Sequence, residues 1–376
     1  MARSTFDVIV IGAGGMGSAA AYELARRGRS VLLLEQFPLV HERGSSHGHT
    51  RIIRRAYYEH PAYVPLVRRS FERWYDLEQR TGRHLLTECA CIGIGPPEGE
   101  VVSGVLAAAH EHGLAVERLS PIELRHQFPQ FCFDDGYAGV LEHDAGFLYV
   151  EDCVRAHLDS ARELGVSIHP EEPVTEWRVE SGSVRVTTVR DTYHAANLVI
   201  TAGPWAGQML GNVGQQLRVM RQTMLWFETT DLAAFRRDLM PIFLAEVSGG
   251  PFYGLPAIDA RGLKVARHYG APEMTSPSEL NGDVSPADEA PVRDFLAKHI
   301  PDANGPRTAG KTCIYTLTPD RHFLMGLHPE YPNVAVAGGF SGHGFKFAPV
   351  VGEILSDLVD RRQTQWNIEM FRFGRW

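Results

Sequence analysis

Apolar residues near the start of the chain follow a pattern that predicts alternating strands and helices. Residues 6–12 (FDVIVIG) form a short continuous apolar run, which is typical of a strand buried in a parallel sheet. The alanine-rich stretch 18–28 follows and ends in two arginines and Gly28, which are typical of a helix C-terminus. A second apolar run, residues 30–37, comes next. The pattern therefore predicts a strand–helix–strand unit.

Similar units recur later in the chain. Residues 195–210 and 333–359 each predict a strand, a glycine-rich turn and a helix, whereas residues 216–307 are rich in strand patterns. Related units separated by other material indicate one domain assembled from distant segments, with a second domain inserted. The expected first domain comprises residues 1–82, 149–215 and 308–376, and the expected second domain comprises residues 83–148 and 216–307.

Length, composition and charge exclude several classes of protein. The chain has 376 residues, of which 44% are hydrophobic and 22% charged, as in an ordinary globular protein, and the alternating strand and helix patterns predict a mixed α/β class. A net charge of −8 argues against a nucleic-acid partner, because phosphate binding requires clustered Lys and Arg. Asp7 interrupts the apolar start of the chain, so we expect no signal peptide. No apolar run reaches the length of about 18 residues that a transmembrane helix requires, so no membrane partner is expected.

The five cysteines suggest neither a disulfide framework nor a metal site. They lie at positions 89, 91, 132, 153 and 313, and no cluster of His or Cys completes a zinc set. We therefore expect a reducing, cytoplasmic compartment. Cys313 stands among polar residues in KTCIYT, so both a structural thiol and a reactive thiolate remain open interpretations.

The first glycine-rich turn predicts a dinucleotide site. Gly12, Gly14 and Gly17 give the spacing G-x-G-x-x-G after a strand and before a helix, where backbone N–H groups can bind a pyrophosphate. Glu35 ends the next strand, where a carboxylate can accept both ribose hydroxyls, so a 2′-phosphate is not expected. The loop leaves NAD and FAD open.

A second glycine-rich turn favours a flavin over NAD. Residues 338–345 (GGFSGHGF) precede another helix, whose N-terminus can stabilise the negative charge of a reduced flavin. A glycine-rich connection without any ligand is the alternative interpretation.

The chain resembles the family of monomeric sarcosine oxidases and N-methyl amino acid oxidases. The resemblance covers nearly the whole sequence, from FDVIVIGAGGMG through GSSHGHTRIIRRAY, AGPW, FYGLP, GLKVARH and KTCIYTLTPDRHF to GFSGHGFKF. It implies an FAD-binding, Rossmann-like domain of the p-hydroxybenzoate hydroxylase type, formed by the first set of segments. The second set would form a substrate domain whose antiparallel sheet covers the flavin. The resemblance also implies a monomer.

The resemblance implies oxidation of a secondary amine. A hydride equivalent would pass from a carbon next to nitrogen to FAD, hydrolysis would release formaldehyde from an N-methyl group, and O2 would be reduced to hydrogen peroxide. A cyclic or bulky substrate such as pipecolate, N-methyltryptophan or a fructosyl amino acid is the alternative, as is a quinone-linked dehydrogenase. Leu244 stands where the sarcosine enzymes carry methionine, which favours another N-methyl amino acid.

The resemblance assigns roles to several polar residues. Arg54 and Lys346 correspond to a clamp for the substrate carboxylate, although arginines in RIIRR are more commonly exposed. Lys264 corresponds to the lysine beside flavin N5 that assists oxygen reduction. Strand alternation places Lys264 and His268 on one face, where a solvated sheet edge is the alternative. The pocket would also contain His268, Tyr253, Tyr315 and the carbonyl group of Gly342.

The remaining assignments concern the flavin. His47, Thr50 and Arg51 correspond to a loop over the flavin face, His47 and Arg51 with catalytic roles. Cys313 corresponds to the cysteine bonded to the 8α-methyl group. The full set of expected cofactor contacts is Gly12, Gly14, Met16, Gly17, Glu35, Gln36, Ser45, Thr50, Arg51, Val174, Ala202, Gly203, Trp205, Cys313, Gly342, Gly344, Phe345 and Lys346.

Overall fold

The structure is a computed structural model, and it describes residues 4–376. In that range the chain forms eight α-helices and twenty strands. The helices are Gly15–Arg26 (α1), Val64–Thr81 (α2), Glu100–His112 (α3), Pro121–Gln127 (α4), Val150–Glu163 (α5), Ala206–Leu210 (α6), Pro286–His299 (α7) and Ala348–Arg361 (α8). The strands are Thr5–Ile11 (β1), Val31–Leu34 (β2), Thr50–Ile53 (β3), Leu86–Glu88 (β4), Cys91–Gly95 (β5), Glu117–Leu119 (β6), Ala138–Glu142 (β7), Gly146–Tyr149 (β8), Ser167–His169 (β9), Val174–Glu180 (β10), Ser183–Thr188 (β11), Thr192–Ile200 (β12), Arg218–Phe227 (β13), Ile242–Val247 (β14), Gly250–Leu255 (β15), Leu263–Arg267 (β16), Glu273–Met274 (β17), Arg307–Leu317 (β18), Leu324–Leu327 (β19) and Val334–Gly338 (β20).

The predicted strand–helix–strand unit lies at the centre of an eight-stranded sheet. β1 pairs in parallel with β2 and β12, and β12 also pairs in parallel with β20. Helix α1 packs against α5 and α8, and their apolar residues bury one face of β1. Because parallel strands end at the same edge, both glycine-rich turns, after β1 and after β20, come to one side of the sheet.

A nine-stranded, largely antiparallel sheet forms the second layer. Its strands follow the order β17-β13-β16-β15-β14-β5-β7-β6, with β18 also paired to β13. An aromatic core that includes Phe243, Phe252 and Phe295 fills the space between this sheet and α7. A small sheet of β3, β8 and β4 completes the fold. The mixed α/β class expected from the sequence is confirmed.

Strand β18 differs from the expected division of the chain. The sequence places residues 308–317 with the nucleotide-binding segments, whereas the strand pairs along β13 from Leu317, opposite Arg218, to Arg307, opposite Phe227. This long hydrogen-bonded register ties the stretch that carries Cys313 and Tyr315 to the nine-stranded sheet.

Helix α7 lies in the stretch that strand patterns dominate. The side chain of Ser285 accepts a hydrogen bond from the backbone N–H of Asp288, and the carboxylate of Asp288 accepts one from the backbone N–H of Ser285, which together form a capping box. Pro291 lies inside the helix. The helix buries few positions, such as Val292 and Phe295, so its apolar residues show only a weak helical period. The local start signal was present, but the apolar period was too short to reveal the helix.

Candidate active site

The first glycine-rich turn lies between β1 and α1. Gly12 has a φ of 95°, and a Cβ at Gly17 would lie 1.7 Å from the carbonyl oxygen of Gly12, so both positions require glycine. Glu35 accepts hydrogen bonds from the backbone N–H groups of Ala13 (2.8 Å) and Phe37 (3.0 Å). The turn therefore places a carboxylate beside a helix N-terminus, as expected of a dinucleotide site.

A cleft opens at this edge of the sheet, with about 1340 Å³ of free space including its solvent-filled mouth. Its walls come from both glycine-rich turns, the end of β2 and the turn after β12. The glycine cradle, the open N-terminus of α1 and the carboxylate of Glu35 together fit an elongated dinucleotide such as FAD. The expected cofactor contacts that line the cleft are Gly12, Gly14, Met16, Glu35, Gln36, Ser45, Arg51, Val174, Ala202, Gly203, Trp205, Gly342, Gly344 and Phe345.

Four expected cofactor contacts do not line this cleft. Gly17 packs behind the turn against Gly12, and Thr50 faces Lys264. Lys346 lines an adjoining cavity instead. Cys313 is only 2% exposed and packs with methionine and tryptophan side chains, whereas its neighbours Ile314 and Tyr315 do line the cleft.

Lys264 is held by oxygen atoms at the edge of this region. Its Nζ donates to the carbonyl oxygens of Gly48 (2.7 Å) and Thr50 (2.9 Å) and lies 3.3 Å from the hydroxyl of Thr50. Burial lowers the pKa of Lys264, and the charge of Arg51 adds to the effect. Three oxygen acceptors nevertheless match the three N–H groups of an ammonium ion.

His47 is buried without a partner. Its side chain is 1% exposed, and within residues 4–376 neither ring nitrogen has a hydrogen-bond partner. Burial, together with the charge of Arg51, lowers its pKa to about 4, so the imidazole is neutral near pH 7. A buried imidazole with both nitrogens unpaired is costly, so this position favours a polar ligand nearby.

A second cavity adjoins the cleft. Arg51, Tyr315, Gly342 and Phe345 line both spaces, so the two adjoin at these residues. The expected pocket residues that line the second cavity are Arg51, Arg54, Leu244, Tyr253, His268, Tyr315, Gly342 and Lys346. Lys264 and His47 line neither space.

Arg54 is buried but already paired. Its guanidinium lies 2.5 Å from a carboxylate oxygen of Glu59, and it also donates to the carbonyl oxygen of Ala56. Burial alone would raise the pKa of Glu59, but the charges of Arg54 and Lys346, together with the hydrogen bond from Arg54, help to bring it to about 2. Both members of the pair are therefore charged near pH 7.

Lys346 is the second cation of this cavity. It belongs to a short 3₁₀ turn, Phe345–Phe347, directly before α8. Burial lowers its pKa to about 7, the charge of Arg54 contributes, and Glu59 partly opposes the shift. Lys346 therefore changes charge in the physiological range, whereas Arg54 does not.

Tyr253, His268 and Tyr315 form an uncharged wall. Nδ1 of His268 lies 3.2 Å from the hydroxyl of Tyr315, and the rings of Tyr253 and His268 meet edge to face at 5.8 Å. Burial lowers the pKa of His268 to about 3 and raises those of both tyrosines. The predicted alternation also holds, because Leu263 and Val265 belong to the aromatic core on the other face of the sheet.

Sequence reasoning did not identify Tyr58, Glu59 and His343, which line this cavity, or Tyr57, which contacts Lys346. Glu59, Tyr57, Tyr58 and His343 surround Arg54 and Lys346. His343 lies inside the GFSGHGFKF motif, which could have singled it out, whereas the segment YYEH carries no periodic signal. No local spacing rule relates Glu59 to Arg54, because both lie in irregular chain after β3.

The described range carries neither a metal cluster nor a membrane-spanning helix. Residues 4–376 contain no group of three or more His, Cys, Asp or Glu side chains that could hold a metal ion. All five cysteines of the sequence are free thiols. Every helix between residues 4 and 376 is too short or too polar to cross a bilayer.

Comparison with known proteins identifies the family. A family model described as FAD dependent oxidoreductase matches residues 7–358. Monomeric sarcosine oxidase of Streptomyces avermitilis is 42% identical over 372 residues, which are 98% of this chain and 97% of that protein. N-methyl-L-tryptophan oxidase of Salmonella typhimurium is 33% identical over 372 residues, covering 98% of this chain and 99% of that protein.

Solved structures show the same fold. NikD, described as an unusual amino acid oxidase essential for nikkomycin biosynthesis, superposes with a TM-score of 0.86 at 24% identity, over 99% of this chain and 98% of NikD. Glycine oxidase from Geobacillus kaustophilus gives a TM-score of 0.81 at 22% identity, over 100% of each chain. The family match, the relatives and the glycine-turn cleft agree, and the chain belongs to the FAD-dependent oxidoreductase family.

Proposed function

We propose that the protein is an oxidase of secondary amines that converts an N-methyl amino acid, O2 and water into the demethylated amino acid, formaldehyde and hydrogen peroxide. The observation that carries the proposal is the pair of buried cations, Arg54 and Lys346, in a cavity that adjoins the glycine-turn cleft. The relatives named above, a sarcosine oxidase and an N-methyltryptophan oxidase, support the same substrate class.

The two cations would bind the substrate carboxylate. Burying a carboxylate without compensation is very costly, whereas each charge-assisted hydrogen bond contributes roughly 1.5–3 kcal/mol. Arg54 already forms an ion pair with Glu59, so it must give up this partner to bind the substrate carboxylate. Lys346 supplies a second charge and fixes the orientation of the amino acid.

The opposite wall would hold the amine end. When bound, FAD accepts a hydride equivalent from the carbon next to the amine nitrogen and passes the electrons to O2. The carbonyl group of Gly342 can accept a hydrogen bond from the amine; a Cβ at this residue would lie 2.3 Å from Tyr315, so glycine is required. Neutral Tyr253, His268 and Tyr315 would orient the substrate without adding charge.

Residues near the cofactor would tune the chemistry. Lys264, as the ammonium that its three oxygen partners favour, would place a fixed positive charge where oxygen is reduced. Arg51, which lines both spaces, would add positive potential, whereas His47, which lines neither, would keep a neutral ring in the loop that carries Arg51.

We also propose that Cys313 is bonded to the 8α-methyl group of FAD. Burial raises the pKa of this thiol, but Arg51 and Lys264 oppose the shift and favour the thiolate that such a bond requires. Its position on β18, two residues before the cleft-lining Tyr315, supports an approach from the sheet.

The chain would act as a cytoplasmic monomer of two domains. We propose that the eight-stranded sheet forms the FAD domain and the nine-stranded sheet forms the substrate domain, with β18 in the latter. The four cysteines other than Cys313 are free thiols, which favours a reducing compartment. Light scattering coupled to size-exclusion chromatography measures the molar mass, which should be that of one chain.

The test of the proposed function is a peroxide assay. The purified protein should show flavin absorbance and should release peroxide with at least one of sarcosine, N-methyltryptophan and pipecolate. The substrate that reacts best shows whether the cavity prefers small, bulky or cyclic amines. Leu244 lines this cavity and favours an N-methyl amino acid other than sarcosine. A flavoprotein that oxidises these amines only with a quinone acceptor would contradict the oxidase proposal.

A further inference from the structure

Lys346 lies at the end of a hydrogen-bond chain that the proposed function does not use. Its Nζ donates to the carbonyl oxygen of His343 (2.7 Å) and to the hydroxyl of Tyr57 (3.3 Å). That hydroxyl lies 2.7 Å from Nδ1 of His343, and Nε2 of His343 lies 3.0 Å from the carbonyl oxygen of Arg321. Tyr57, His343 and Lys346 are all buried, so water does not compete freely for these bonds.

The chain has a defined direction. A carbonyl oxygen only accepts hydrogen bonds. Nε2 of His343 therefore carries the hydrogen and donates a hydrogen bond to the backbone carbonyl oxygen of Arg321. A neutral imidazole has one N–H group, which leaves Nδ1 as the acceptor for the hydroxyl of Tyr57. Burial lowers the pKa of His343 to about 4, which agrees with the neutral ring. The hydroxyl of Tyr57 therefore presents lone pairs to Lys346.

One competing bond is weaker. The hydroxyl of Tyr57 also lies 3.2 Å from the carbonyl oxygen of His343. That oxygen already accepts from Lys346 at 2.7 Å, whereas Nδ1 of His343 lies closer to the hydroxyl, at 2.7 Å, and has no other partner among the described residues. The shorter distance and the free acceptor favour the bond to Nδ1.

The consequence concerns the third proton of the ammonium group. Two N–H groups of Lys346 are taken by Tyr57 and His343, and the side chain lines the cavity together with Arg54. We propose that Tyr57 and His343 are positioning residues, which hold Lys346 so that its remaining N–H group points to a bound carboxylate. This inference rests on the proposed function, in which Lys346 binds the substrate carboxylate.

Tyr57 offers a selective variant. The guanidinium of Arg54 lies 4.2 Å from the centre of the Tyr57 ring, so the ring contacts one cation while its hydroxyl bonds the other. Tyr57→Phe keeps the ring beside Arg54 and removes the hydroxyl together with its bonds to Lys346 and His343. Comparison with the Lys346→Met background then shows how much of any loss of carboxylate affinity acts through Lys346.

The experiment is a double-mutant cycle on the holoenzyme with methoxyacetate, a carboxylate that lacks an amine. Calorimetric titration near pH 6 gives its Kd for the native chain, Tyr57→Phe, Lys346→Met and the double variant. Losing one hydrogen bond to a positioned group predicts a rise in Kd of about 3- to 10-fold for Tyr57→Phe in the native background. In the Lys346→Met background the same change should alter Kd less than about 2-fold.

A second pair of variants tests His343. The side-chain oxygen of His343→Asn can replace Nδ1 as acceptor, whereas His343→Leu cannot, so only the Leu variant should lose affinity. The positioning role would be overturned if Tyr57→Phe raised Kd by the same factor in the native and Lys346→Met backgrounds. It would also be overturned if His343→Asn and His343→Leu raised Kd equally. If Lys346→Met itself leaves Kd unchanged, the carboxylate clamp of the proposed function fails, which is a separate result.

Discussion

The charge of Lys346 should control the binding of carboxylate ligands between pH 6 and pH 9. Its pKa in the free cavity is about 7, because burial and Arg54 disfavour the ammonium form. A bound carboxylate favours that form and raises the pKa. Binding should therefore be tightest when Lys346 is already protonated and should weaken as the pH rises above 7.

The size of the effect follows from the pKa. The protonated fraction of Lys346 falls about 90-fold between about pH 6 and about pH 9, so Kd for methoxyacetate should rise by the same factor if only the protonated form binds. The ligand stays ionised over this range and has no amine to titrate. The pKa values of His268 and His343, about 3 and about 4, lie too low for these groups to contribute.

The assay is calorimetric titration of the holoenzyme with methoxyacetate across this range. In Lys346→Met the dependence on pH should disappear, and affinity near pH 6 should fall at least about tenfold, the loss of one charge-assisted hydrogen bond. Lys298→Met, which alters an exposed lysine of α7, is the matched control and should behave like the native chain. A Kd that is constant with pH, or an equal dependence in Lys346→Met, would refute the reasoning.

Three further changes have expected outcomes. Glu59→Gln frees Arg54 from its ion pair, so methoxyacetate should bind about tenfold more tightly near pH 6. Unchanged or weaker binding in a calorimetric titration would count against the exchange of Glu59 for the substrate. Lys264→Met should slow reoxidation by O2 more than anaerobic reduction in stopped-flow measurements, and equal slowing would remove its assigned role. Cys313→Ser should release its flavin into the supernatant on acid precipitation, whereas the native chain should keep it in the pellet. Colour in the native supernatant would show that no bond exists.

The sequence predicted the parallel unit well because its information is local. Apolar runs and glycine spacing are set by neighbours in the chain, so β1, α1 and β2 appear where the pattern places them, Thr5–Ile11, Gly15–Arg26 and Val31–Leu34. The same holds for the two faces of β16, whose alternation separates Lys264 from Val265.

Contacts between distant segments could not be predicted in this way. Pairing of β18 with β13 depends on which strand edge is free in the folded sheet, which no window of sequence contains. The ion pair of Arg54 with Glu59 joins two residues in irregular chain, where no helix or strand period applies. The resemblance to a family supplied Arg54 and Lys346, but only the folded structure shows Glu59, Tyr57 and His343 around them.

The most direct test of the central claim combines an absorbance spectrum with a peroxide assay. The account predicts a yellow protein that produces hydrogen peroxide and formaldehyde in equal amounts from sarcosine or another N-methyl amino acid. It also predicts that Lys346→Met raises KM for this substrate. A colourless protein, or a yellow protein that releases no peroxide with any secondary amino acid, would contradict it.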